Sequence, residues 1–121
     1  MVLANWETDI KPFYKSGQTA TIYDFQARLG WQIRFYAMGE HADSDPLTAM
    51  DTEVMFRAFG LKNTWTPRPV WVVMPDGRVF MGSVHNMPHL SSGVKDNNFD
   101  GHMCLHFPRR MEDAERTGTY A

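Results

Sequence analysis

The sequence predicts an α+β domain, a single β-rich unit with a mostly antiparallel sheet and one main helix at about 47–59. Three observations carry that expectation. Segments rich in β-branched and aromatic residues recur along the chain, separated by short turn signals. Only residues 47–60 combine a cap at each end with a helical run. The segment GHMCLHF (101–107) alternates strictly, which suits a strand with one buried face.

Residues 1–18 form an N-terminal extension that closes on Ser16-Gly17-Gln18, a turn signal; Trp6, Phe13 and Tyr14 are expected to pack on the domain. TATIYDFQ (19–26) reads as a strand. Leu29-Gly30 reads as a turn. In WQIRFYAM (31–38), Trp31, Ile33, Phe35 and Ala37 alternate with Gln32, Arg34 and Tyr36, so the two segments should form an antiparallel hairpin. GEHADSDP (39–46) reads as a polar loop. The helix follows, with Asp45 or Thr48 as N-cap and Gly60 beyond its C-terminus. Residues 61–69 hold two prolines and read as a loop. VWVVM (70–74) and RVFMGSV (78–84) flank Pro75-Asp76-Gly77, a hairpin turn with a glycine available for positive φ. A long loop, 86–101, leads to the final strand, and loops of that length in a compact domain are usually functional. Pro108 ends the strand and 108–121 form a tail.

Size and charge bound the function. The chain has 121 residues, enough for one core, and its 43% hydrophobic content argues against disorder. A net charge of −2, with no basic run, argues against nucleic acid as a partner. Glu7, Asp9, Lys11 and Lys15 interrupt the first twenty residues, so no signal peptide is expected as written. No segment is long enough to suggest membrane insertion.

The chemistry concentrates in residues 85–107, which hold four of the five histidines and the single cysteine. One cysteine cannot form an internal disulfide, so Cys104 is a buried hydrophobe, a metal ligand or a nucleophile. As a strand, GHMCLHF buries Met103, Leu105 and Phe107 and sets His102, Cys104 and His106 in a row on the other face, the thiol facing a cleft. A thiol attacks as thiolate, and a nearby imidazole lowers its pKa. Neighbours on one strand face lie roughly 7 Å apart, so a direct base should come from elsewhere, and His89 and His85 both precede the long loop. Backbone N–H groups near Gly101 could supply an oxyanion hole.

The order of a histidine, a Gly/Asn-rich loop and a short His/Cys motif resembles the L,D-transpeptidase catalytic domain. That family carries Ser/Thr-His-Gly-Cys, then a hydrophobic residue and Arg or Asn. Here the motif reads Gly101-His102-Met103-Cys104-Leu105-His106. His102 and Leu105 keep their places, while Gly101, Met103 and His106 depart. The chain is more similar still to bacterial cell-wall-associated domains with Met-Pro-His followed by Asn-Asn-Phe-x-Gly-His-x-Cys-Ile-His-Phe. Residues 87–89 and 97–107 match that run; His41-Ala42-Asp43, Pro46-Leu47-Thr48 and Arg68-Pro69 fit its upstream part. The resemblance implies a cysteine-dependent acyl transfer or hydrolysis on peptidoglycan stem peptides, without a cofactor. It implies Cys104 as nucleophile, His89 as general base and His102 as support for substrate or oxyanion. His106, Arg68, Asn98 and His85 would contact the substrate, Arg68 by clamping a carboxylate. It also implies an extracytoplasmic or cell-wall location.

Two other readings stand beside it. His89, His102, Cys104, His106, His41 and Asp43 offer a donor set for Zn²⁺, which would make a zinc-dependent cell-wall peptidase. The same pocket could also serve a non-catalytic cell-wall binding module.

Overall fold

The computed structural model describes residues 6–38, 42–87 and 103–107. Six strands form a closed antiparallel barrel: β1 (Thr19–Asp24), β2 (Leu29–Met38), β3 (Ala42–Pro46), β4 (Arg68–Val73), β5 (Val79–Val84) and β6 (Met103–His106), in the order β1-β2-β3-β6-β5-β4. The expected α+β domain with a mostly antiparallel sheet and one main helix is therefore corrected to a closed barrel. β1 pairs with β4 through Thr21↔Val73, Ile22↔Val72 and Tyr23↔Trp71, and this contact closes the sheet on itself. Among the described residues one short α-helix, α1 (Ala49–Ala58), is an accessory to the barrel rather than a second layer.

Strand parity explains the interior. Ile22, Trp31, Ile33, Phe35, Val70, Val72, Val84, Met103 and Leu105 are buried in one apolar cluster. Gly82 also faces inward: a Cβ there would lie 2.6 Å from Val72 Cγ2 and 3.0 Å from Leu105 Cδ1. Only a hydrogen fits, so glycine sets how closely β5 can approach the opposing side chains.

Two segments cover the barrel ends. The N-terminal stretch begins with a π-helical turn, Trp6–Ile10, and packs into the core through Ile10 and Tyr14. The Tyr14 hydroxyl donates to Asp76 in the β4–β5 turn at 3.0 Å, and Trp6 stacks on Phe107 with ring centroids 6.0 Å apart. At the far end of β4, Met55, Ala58 and Phe59 of the α1 region join the core. Thr48 caps α1 in a capping box with Asp51, and Asp51 Oδ1 also accepts from Gln32 N–H at 2.8 Å, tying the helix start to β2.

Three local expectations change. Residues 42–46, read as loop, form β3, because both edges are paired: Phe35↔Ser44 on one side, Asp43↔Cys104 on the other. Pairing on two sides overrides the low strand propensity of ADSDP. Leu29 and Gly30 belong to β2; the turn lies at 25–28, where Asp24 Oδ1 accepts the N–H groups of Gln26 and Ala27. Pro69 lies within β4, beyond the last β1 partner of that strand, where no N–H is required.

Candidate functional site

The site is built on the outer face of β3 and β6. Met103 and Leu105 point into the core, so Cys104 and His106 point outward. This is the parity the alternation of GHMCLHF predicts, and Phe107 is buried as expected. β6 pairs with β3 through Ala42↔Leu105, Asp43↔Cys104 and Ser44↔Met103, and with β5 through Ser83↔His106 and Val84↔Leu105.

The Asp43↔Cys104 register brings the two side chains together. The Cys104 thiol donates to Asp43 Oδ1 at 3.2 Å. Cys104 is only 2% exposed, so the sulfur lies under cover rather than in an open cleft. Burial pushes the thiol pKa well above its usual range, and the hydrogen bond to Asp43 and the charge of that carboxylate act in the same direction. At neutral pH, Cys104 in this arrangement is a protonated thiol that donates to a carboxylate.

The other described candidates divide by face. His106 follows Cys104 on the outer side, opposite Ser83. His85, read from the sequence as a substrate contact, is fully buried beyond the end of β5, with its ring 4.9 Å from that of Trp65. Its Nδ1 accepts the N–H of Met87 at 3.2 Å, which leaves the proton of the neutral ring on Nε2. Asn86 beside it accepts from Thr64 N–H and donates to Lys62 O, so this dipeptide fastens the segment before β4.

Arg68 is on the opposite side of the wall from Cys104. It pairs with Val84, whose partner Leu105 faces the core, and its guanidinium donates from Nε and Nη2 to the buried carboxylate of Asp24. The guanidinium also lies 5.8 Å from the Phe59 ring centroid. The carboxylate it clamps belongs to this chain.

His41, His89, Asn98 and His102 lie outside the described residues. Among the described residues no group of three His, Cys, Asp or Glu side chains could hold a metal ion. No described helix is long and apolar enough to cross a membrane. Asp43 is the residue whose partner the sequence hid. From the sequence it stood in the upstream part of the resemblance and in the zinc donor set, not beside the thiol, although ADSDP read as a strand places Asp43 and Asp45 on the face opposite Ala42 and Ser44. Comparisons with protein families, curated proteins and solved structures found nothing that matches this chain.

Proposed function

We propose that the protein carries out cysteine-dependent acyl transfer or hydrolysis on peptidoglycan stem peptides, with Cys104 as nucleophile. The observation that carries the reading is the Cys104–Asp43 pair: a lone thiol turned away from the core and held on the outer face of β6. The substrate class rests on the likeness of residues 87–89 and 97–107 to cell-wall domains.

Asp43 holds the thiol protonated at rest, so attack begins when an imidazole takes that proton; His89 is the expected base. The thiolate sulfur bonds to the substrate carbonyl carbon, with the oxyanion supported by His102. The carbon–nitrogen bond then breaks, and the departing D-amino acid takes the proton from the imidazolium. The thioester passes its acyl group to an amine in transpeptidation or to water in hydrolysis. In this reading His106, next along the outer face, contacts the substrate chain.

Intact-mass spectrometry after incubation with a stem tetrapeptide tests this. The expected result is an acyl adduct on the wild type and none on Cys104→Ala. Turnover that persists in Cys104→Ala would refute it. So would stoichiometric zinc that is lost in His89→Ala together with activity.

One observation favours a second reading, a cell-wall binding module without turnover: the thiol is buried and its pKa is raised. Stem-peptide binding by both wild type and Cys104→Ala, with neither adduct nor product, is the outcome that selects it.

A further inference from the structure

The outer face of β1 and β4 carries an aromatic surface that neither the core nor the thiol chemistry uses. Tyr23 and Trp71 are cross-strand partners, their ring centroids 5.7 Å apart and tilted by 44°. Phe25, two residues after Tyr23, lies 5.7 Å from Trp71 on another side, tilted by 33°. Trp71 is the central ring and is 39% exposed. Tyr23 and Phe25 are half-buried at its flanks. In β2, Gly30 is the partner of Tyr23; a Cβ there would lie 3.8 Å from Tyr23 Cδ1, so glycine leaves the ring flank uncovered.

We infer that Tyr23, Phe25 and Trp71 form a binding platform for a neutral saccharide chain. A pyranose ring has an apolar C–H face and a hydroxyl rim, and each has a counterpart here. The indole offers a flat face. The Tyr23 hydroxyl and the Trp71 indole N–H are donors, and neither hydrogen-bonds a described residue. One register step along, Thr21 and Gln32 pair on the same outer face, adding an uncharged hydroxyl and an amide. These nearest polar groups are uncharged, which suits a polyhydroxylated ligand, while Arg34, paired with Thr19, brings a positive charge one pair further along the face. A second copy of the chain is disfavoured by area: a stable interface covers about 800 Å² per partner. Three side chains, two of them half-buried, cannot supply that.

The platform stands apart from Cys104, which is on β6, so the two readings fail separately. The test uses the full chain and chitotetraose, a neutral β-linked N-acetylhexosamine tetramer. It follows the Trp71 indole N–H of the wild type by heteronuclear NMR, assigned by its loss in Trp71→Phe, and reads the affinity of every variant by isothermal titration calorimetry. Chitotetraose is expected to shift the Trp71 resonance in a saturable way. Trp71→Ala should weaken binding about tenfold or more, as truncation of a central aromatic anchor does. Trp71→Phe should retain most of the affinity, and Cys104→Ala should bind as the wild type does. Wild-type binding that leaves the Trp71 signal unmoved would overturn the inference. No saturable shift at millimolar saccharide would do the same, with Trp71→Ala altering only the melting temperature. So would a proline-rich peptide displacing the sugar as the ligand of these rings.

Discussion

Replacing Asp43 by Asn tests what the carboxylate does to the thiol. The substitution keeps shape and removes the charge that accepts the Cys104 S–H at 3.2 Å. Hydrogen bonds to charged groups contribute about 1.5–3 kcal/mol, and Asp43 is half-buried, so the lower end applies. At 1.36 kcal/mol per unit, the thiol pKa should fall by about one unit. It should stay above the ordinary thiol range, because burial is the larger cause of the rise. Well below the pKa, one unit means about ten times more thiolate. Nucleophilicity falls with basicity with a Brønsted coefficient of about 0.4–0.5, which leaves a net gain of about three- to fourfold in alkylation rate. The assay is iodoacetamide alkylation of the folded protein between pH 7 and 9, read by intact mass. An unchanged rate would mean that Asp43 does not hold the proton on sulfur. A slower rate would mean that the carboxylate activates the thiol, and the resting state argued above would be wrong.

Three further outcomes follow from the same geometry. A raised thiol pKa keeps the folded state protonated while the unfolded chain ionises, so stability should fall as pH rises above about 8.5. Denaturant melts should show a steeper loss for wild type than for Cys104→Ala, with at most about 1.4 kcal/mol per pH unit from this one group. Gly82→Ala should cost about 1–3 kcal/mol by thermal or chemical melting, because the new methyl meets Val72 Cγ2 at 2.6 Å inside the barrel. Arg68→Ala should cost about 3 kcal/mol, since it leaves the fully buried Asp24 carboxylate without its guanidinium; unaltered stability would return Arg68 to the role of an exposed clamp.

The sequence disclosed what is local and hid what is distant. GHMCLHF announced its own parity, and Met103, Leu105 and Phe107 are buried accordingly. The capping box of α1 was half legible: Thr48 was one of two cap candidates, and Asp51 three residues on completes it, whereas Asp45, the other candidate, belongs to β3. ADSDP was misread because its composition belongs to turns, and only two-sided pairing makes it a strand. Closure was illegible for a related reason. Nothing around Tyr23 announces that Trp71, far along the chain, will be its partner, and without that contact the same strands make an open sheet. Arg68 looked available for a ligand because its carboxylate, Asp24, lies 44 residues away.

This division bears on how the site and the fold share one strand. β6 has only four residues and is held by three partners on β3 and two on β5. Its odd positions fill the barrel; its even positions carry the thiol and an imidazole on the outer side. Substitution at Cys104 or His106 therefore removes no side chain from the apolar core, while Leu105→Ala would open a cavity against Gly82 and Val84 worth about 2–5 kcal/mol. Even so, Cys104 is not independent of the barrel, because its partner Asp43 sits on the neighbouring strand and the pair depends on the register Asp43↔Cys104. A slip by one residue would turn Cys104 into the core and Leu105 out of it. The apolar packing of Met103 and Leu105 thus fixes the register, and the register in turn aims the thiol at the carboxylate.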